Sequence, residues 1–186
     1  MRVIGGQYKG RRILTCEGPG YRPATMRVRE SIFSMLAARG VDFAKARVID
    51  LFAGSGSLAI ECLSRGARMA WFVEKNPKAA ALIRRNLSEL KVDKGFARVV
   101  CKDLFGVLSG KPDRPFDLVF IDPPYGKDLL VPALEKALEN GWIADGALVL
   151  AEVEISVAPP EEGPIAEMEL STDREYGQTR IIIWRN

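Results

Sequence analysis

An α/β fold built on a mainly parallel sheet is what this sequence predicts, and three observations carry that expectation. After Ala46, apolar runs of strand length alternate with segments of helical 3-4 periodicity, the order that successive strand-helix units require. Beyond Pro159-Pro160 the alternation stops, and two apolar runs on either side of Tyr176-Gly177 predict a closing antiparallel hairpin. The first residues, MRVIGGQYKGRRIL, read instead as a small β-hairpin placed ahead of the alternating part. At 186 residues the chain has the size of one domain. Residues 1–24 are expected to form a basic hairpin and loop extension, and 25–186 the core.

The elements follow in order. Gly5-Gly6 suits a two-residue turn between the first two short strands. A loop rich in glycine and proline, EGPGYRP, comes next. From Thr25 the pattern is helical, with Val28, Ile32, Met35 and Leu36 on one face and Gly40 as a stop. Strands are expected at 47–52, 69–73, 97–101, 116–121 and 147–153, separated by helices at 57–64, 77–90 and 129–140. The helix after Asn76-Pro77 has a capping side chain followed by proline at its first position, the arrangement that starts helices well. The final pair of strands is expected at 165–170 and 179–185.

Charge is unevenly distributed. The whole chain carries +3, yet residues 1–47 hold ten basic side chains against Glu17, Glu30 and Asp42, leaving a mildly acidic remainder. A basic lobe on an acidic body implies a polyanionic partner met by one end of the molecule. There is no histidine, which excludes a Ser-His-Asp relay, a Cys-His pair and any His-ligated metal. Cys16, Cys62 and Cys101 are odd in number and far apart, as expected of reduced thiols in a cytoplasmic protein. No run is apolar and long enough for a membrane span or a signal peptide.

The chemistry gathers at strand ends. RVIDLF breaks into AGSGSLAIE, so Gly54-Ser55-Gly56 lies between a buried strand and a helix, where a ligand can approach free backbone N–H groups. Asp50 precedes this turn, Glu74 ends the next strand and Asp103 follows the third. Open α/β sheets bind ligands at the carboxyl ends of their strands, so the three acids are expected to line one crevice. A dinucleotide is one candidate ligand, but the turn lacks the clear third glycine of that fingerprint, and Asp50 would repel a pyrophosphate. S-adenosylmethionine suits the acids better: Asp50 toward its ammonium, Glu74 toward its ribose hydroxyls, Asp103 toward its adenine amine. The expected cofactor site therefore comprises Asp50, Phe52, Gly54, Ser55 and Gly56 on the first loop. Glu74, Lys75, Asp103 and Leu104 come from the next two.

The fourth strand ends in FIDPPY. Each proline deletes a backbone N–H and holds the preceding residue extended, so Asp122-Pro123-Pro124-Tyr125 forms a stiff corner that presents acceptors and few donors. A group that only donates matches it, and a planar exocyclic NH₂ of a nucleobase is such a group. Asp122 would grip its hydrogens and free the nitrogen lone pair, while Tyr125 would stack on the base. Reaching such a corner requires an unpaired or extruded nucleotide. A covalent cytosine-C5 route is disfavoured, because no cysteine lies in this loop or follows a proline.

The glycine turn and the DPPY corner together resemble those of the class I amino-methyltransferases. MRVIGGQYKGRRI, RPATMRVRESIFSML, DLFAGSGSLAIECLSRGA, VEKNP, FIDPPY and YGQTRIIIW are similar, nearly end to end, to the bacterial RsmD family. The resemblance implies a Rossmann-like fold, S-adenosyl-L-methionine as cofactor and methylation of a guanosine N2 amine in ribosomal RNA presented within an assembling small subunit; separately, a monomer without metal is expected. It carries Asp122, Pro123 and Tyr125 over as the base-amine site, and Gly54, Gly56, Glu74 and Asp103 as the cofactor site. Arg22, Arg27 and Arg29 would hold phosphates or the active-site loop, extending a basic surface of Arg2, Lys9, Arg11 and Arg12. Met26, where the family commonly has an acid, and Ala24, where it has threonine, depart from the pattern. The acceptor corner does not itself choose among exocyclic amines, so adenine N6 methylation stays open, as does a non-catalytic RNA-binding assembly factor. A nicotinamide oxidoreductase has the fold but not the DPPY corner.

Overall fold

The structure, a computed structural model, describes residues 1–15 and 25–186. Cys16, Arg22, Ala24 and the EGPGYRP loop lie outside the described residues. The helix α1 (Met26–Ala38) is followed by β1 (Arg47–Asp50), α2 (Ser57–Ser64), β2 (Met69–Val73), α3 (Pro77–Glu89), β3 (Ala97–Val100) and α4 (Leu104–Leu108). Then come β4 (Phe116–Ile121), α5 (Leu130–Glu139), β5 (Ile143–Glu154), β6 (Glu169–Tyr176) and β7 (Thr179–Arg185).

The strands form one sheet in the order β3-β2-β1-β4-β5-β7-β6. The first five run parallel, and β7 enters antiparallel between β5 and β6. The order reverses between β1 and β4, which opens a crevice at their carboxyl ends. Because side chains alternate across a strand, each buried strand feeds two cores. Val48, Phe72, Leu118, Phe120, Leu148 and Leu150 pack on one face with Ile32, Phe33 and Leu36 of α1 and with α2. Ile49, Trp71, Val119, Ile121, Val149 and Ala151 pack on the other with Leu104, Leu108 and Leu134 of α4 and α5.

Local chemistry accounts for the helix starts. Thr25 caps α1 by accepting from the Val28 N–H at 3.3 Å, and Asn76 caps α3 by accepting from the Lys78 and Ala79 N–H groups. The five-residue α4 is too short to show a helical period in sequence; its cap, Asp103, accepts from the Phe105 and Gly106 N–H groups.

Three expectations need correction. The N-terminal arms do pair antiparallel, but through a single bridge, Arg2 with Arg12, and the connection spans several residues rather than Gly5-Gly6. Gly5 and Gly6 are instead packed tightly on α2: a Cβ on Gly6 would lie 1.8 Å from the Ser64 carbonyl oxygen. The strand expected at 147–153 starts earlier, at Ile143, because a register shift around Gly146 (φ 73°) absorbs extra residues and lets pairing resume. The strand expected at 165–170 begins only at Glu169. Ile165 and Met168 are buried in a turn, while the edge strand itself is polar and held by backbone pairing to β7.

Candidate active site

Asp50 closes β1 and is only 3% exposed, with Oδ1 lacking any hydrogen-bond partner. Burial pushes its carboxyl up to about 7; the Phe52 N–H opposes the rise, and Glu74 and Glu152 add to it. The chain then turns through Gly54 (φ 53°) and Gly56 (φ 78°), left-handed positions that glycine adopts without penalty. A Cβ on Gly56 would sit 3.1 Å from the Phe72 ring and 3.3 Å from Ile83, so this glycine also serves close packing. No side chain caps the first turn of α2.

Glu74, just past β2, fastens the turn. Its Oε2 accepts from the Gly54 N–H at 2.9 Å and its Oε1 from the Asn76 N–H at 2.8 Å. Each oxygen retains a further lone pair. Ser55 is buried and its carbonyl accepts from Asn86, whose amide also holds Leu14 of the N-terminal arm. Phe52 is half-buried against the second core and Lys75 is exposed. The Asp103 side chain is exposed and uses Oδ1 to cap α4, while the Leu104 side chain is buried in the second core.

Asp122 follows β4 on the rim beside β1. The Leu51 N–H donates to the Phe120 carbonyl at 3.0 Å, and Asp50 pairs with Phe120, so the glycine turn and the DPPY corner are immediate neighbours. Burial, then Glu152, then Asp50 push the Asp122 carboxyl well above the usual carboxylate range. Pro123 is buried and Pro124 half-buried. The corner is tied down at two points: Tyr125 Oη and Thr179 Oγ1 share a hydrogen bond of 3.0 Å, and the Gly126 N–H donates to the Glu154 carboxylate. Burial raises the Tyr125 phenol, with the Thr179 contact opposing.

Sequence reasoning missed three members of this neighbourhood, Glu152, Glu154 and Thr179. Glu152 carried a readable signal, since it is an acid near the carboxyl end of a strand like Asp50 and Asp122. Pairing of Ile121 with Ala151 brings Asp122, the next residue past β4, beside Glu152, which the pleat puts on the Leu150 side of the sheet. Glu152 is 4% exposed, and burial raises its carboxyl to about 7. Among the described residues no group of three or more His, Cys, Asp or Glu is arranged to hold a metal ion.

The basic surface is partly as expected. Arg2, Lys9, Arg11, Arg12 and Arg27 are exposed, although Arg2 donates to the Gly10 carbonyl and Arg11 to that of Glu89, both at 2.7 Å. Arg29 is a correction. It is fully buried, its guanidinium 3.4 Å from the equally buried Glu61 and 3.1 Å from the Arg2 carbonyl, so phosphate cannot reach it. Glu61 also accepts from the Ile4 and Gly5 N–H groups and from Arg65, joining α1, α2 and the N-terminal arm. Burial lowers the Arg29 pKa, with Glu61 opposing.

Comparison with known proteins agrees with this layout. A family model described as Conserved hypothetical protein 95 matches residues 1–185. The chain is 41% identical over 160 residues to the Escherichia coli K12 protein named "Ribosomal RNA small subunit methyltransferase D", covering 86% of this chain and 78% of that one. It is 35% identical over 187 residues to the Bacillus subtilis protein named "Putative rRNA methyltransferase YlbH", covering 100% and 98%. The solved structure "Putative methyltransferase yhhF from Escherichia coli" superposes with a TM-score of 0.84 at 37% identity, covering 100% and 97%. A family model over residues 1–185, a relative 41% identical over 86% of the chain and a solved structure that covers the whole chain place this seven-stranded protein in the RsmD family of class I methyltransferases.

Proposed function

We propose that this protein methylates the exocyclic N2 amine of a guanosine in small-subunit ribosomal RNA, using S-adenosyl-L-methionine. The observation that carries the reading is adjacency: Asp122 lies two residues beyond the strand partner of Asp50, so a donor seated on the glycine turn and an amine held at the DPPY corner share one crevice. The relatives named for ribosomal RNA methylation support the substrate class.

The residues fit the cofactor. Asp50 Oδ1 is a buried acceptor without a partner, matched to an ammonium. The uncapped first turn of α2 leaves N–H groups for a carboxylate. Glu74 is already fixed by two backbone donors and offers its remaining lone pairs to a ribose diol. Asp103 keeps Oδ2 for the adenine amine. When bound, S-adenosyl-L-methionine supplies an electrophilic methyl group on its sulfonium.

The protein's part is positioning and electrostatics. Asp122 accepts the amine hydrogens and draws the nitrogen lone pair out of conjugation. Pro123 and Pro124 keep competing N–H donors out of that corner. Tyr125, anchored through Thr179, sets the plane of the base. Exposed Lys9, Arg12 and Arg27 hold the RNA backbone.

Incubation with methyl-labelled S-adenosyl-L-methionine and naked small-subunit RNA, assembled small subunits or duplex DNA, followed by nucleoside digestion, tests the reading. N2-methylguanosine from either RNA substrate is expected. N6-methyladenosine, or label in DNA alone, overturns it.

A further inference from the structure

The DPPY corner leaves one question unanswered, since a pair of acceptors around an NH₂ group suits adenine as well as guanine. Glu152 bears on it. Its side chain sits in an otherwise apolar stretch of β5, is 4% exposed, and its Oε2 has no hydrogen-bond partner. A buried carboxylate with an unpartnered oxygen is costly unless a ligand supplies what the fold does not. None of the ion pairs among the described residues involves it. The neighbouring acid of the same strand, Glu154, is already engaged with the Gly126 N–H. Asp122 follows Ile121 just beyond β4, and Glu152 follows Ala151, the β5 partner of Ile121, so the two acids are neighbours, Asp122 half-buried and Glu152 buried.

We propose that Glu152 is the residue that selects guanine, accepting the N1–H of the base while Asp122 holds the adjacent N2 amine. This rests on the N2-guanine reading above and deepens it. The Watson–Crick edge of guanine presents two neighbouring donors, N1–H and N2–H. The corresponding edge of adenine presents N6–H beside a bare N1 lone pair, which an ionised carboxylate repels. In their ionised forms the two carboxylates are an acceptor-only row that matches the first edge and rejects the second; because burial raises both acids, the discrimination is expected to sharpen as pH rises through their titration. Asp122 alone would bind either amine; the second acid makes the corner read the base.

The test uses small subunits reconstituted with RNA carrying, at the position that sequence-specific nuclease mapping of the labelled RNA shows to be methylated, guanosine or 2,6-diaminopurine riboside. The analogue keeps the N2 amine but has a lone pair and no hydrogen at N1. The wild-type protein is expected to prefer guanosine in kcat/KM by about ten- to a hundredfold, the discrimination a paired hydrogen-bonding contact gives. Glu152→Gln, whose amide can donate to the analogue, should shrink that ratio by about tenfold or more, with S-adenosylhomocysteine affinity unchanged. Glu152→Met should lose the preference by slowing on guanosine without speeding on the analogue. Should Met not fold, the isosteric Gln variant decides alone. Equal wild-type rates on the two substrates, or an unchanged ratio in Glu152→Gln, overturns the assignment. Label found elsewhere than guanine N2 in the wild-type digest overturns the functional reading itself, and that result is visible before any variant is made.

Discussion

Glu74 holds the backbone N–H of Gly54 at 2.9 Å across twenty residues of chain, so the glycine turn is fixed by the next strand rather than by its own sequence. The second oxygen holds Asn76, which in turn caps α3. Glu74→Ala removes two charge-assisted bonds and any ribose contact together. It should weaken S-adenosylhomocysteine binding by about a hundredfold, from bonds of about 1.5–3 kcal/mol each. Glu74→Gln, which keeps one acceptor oxygen, should fall in between. Calorimetric titration checks both, and wild-type affinity in Glu74→Ala would remove this residue from the cofactor site.

Asp122→Ala should abolish methyl transfer while leaving S-adenosylhomocysteine affinity within a few-fold, because its proposed partner is the base amine and not the cofactor. Retained turnover with labelled cofactor would exclude the gripping role.

Tyr125 contributes a ring and an anchored hydroxyl. Tyr125→Phe releases the contact to Thr179 and should slow transfer modestly. Tyr125→Ala also removes stacking worth about 1–3 kcal/mol and should slow it further. Equal single-turnover rates for the two variants would assign the effect to the hydroxyl.

The buried acids make stability fall as pH rises. Asp50 and Glu152 have folded-state values of about 7, above their ordinary values of 3.8 and 4.5. The folded protein therefore binds more protons than the unfolded chain between about pH 4 and 7, and each group costs stability as pH rises through that window, then levels off. Each pKa unit corresponds to about 1.4 kcal/mol. Asp50→Asn should flatten the decline in thermal midpoint between pH 5 and 8. A variant with the wild-type slope would show that Asp50 does not carry that proton.

Arg29 and the exposed cations should separate cleanly. Arg29→Ala removes one of the two guanidinium partners of the buried Glu61, which keeps Arg65 and two backbone donors, and should cost about 1.5–3 kcal/mol in urea unfolding. Lys9→Ala with Arg12→Ala should leave stability alone, weaken RNA binding and reduce its salt slope by about one to two units through fewer released counterions. A salt slope unchanged by the double variant would move the RNA surface elsewhere.

Much of the architecture was legible because hydrophobic periodicity is a local property. The strands at 69–73, 116–121 and 179–185 and the helix at 57–64 lie where the pattern put them, since each side of the sheet is buried under helices and strands there are nearly continuous apolar runs. The polar edge strand β6 was misplaced because backbone pairing with β7, not an apolar face, holds it. Gly54 and Gly56 were readable as a turn, but the packing of Gly56 on Phe72 and Ile83 was not.

The sequence by itself determined the alternation of strands and helices, the glycine turn, and the carboxylates at strand ends, because these depend on residue type and spacing along the chain. Only the tertiary structure decided what each charge is for. Arg29 stands among surface arginines in sequence, and Glu61, thirty-two residues away, turns it into a buried clip. Glu152 reads as one acid in an apolar strand, and pairing of β4 with β5 sets it beside Asp122. Register across a sheet brings together groups whose separation along the chain says nothing of their distance, and in a buried setting that distance governs both their charge and their chemistry.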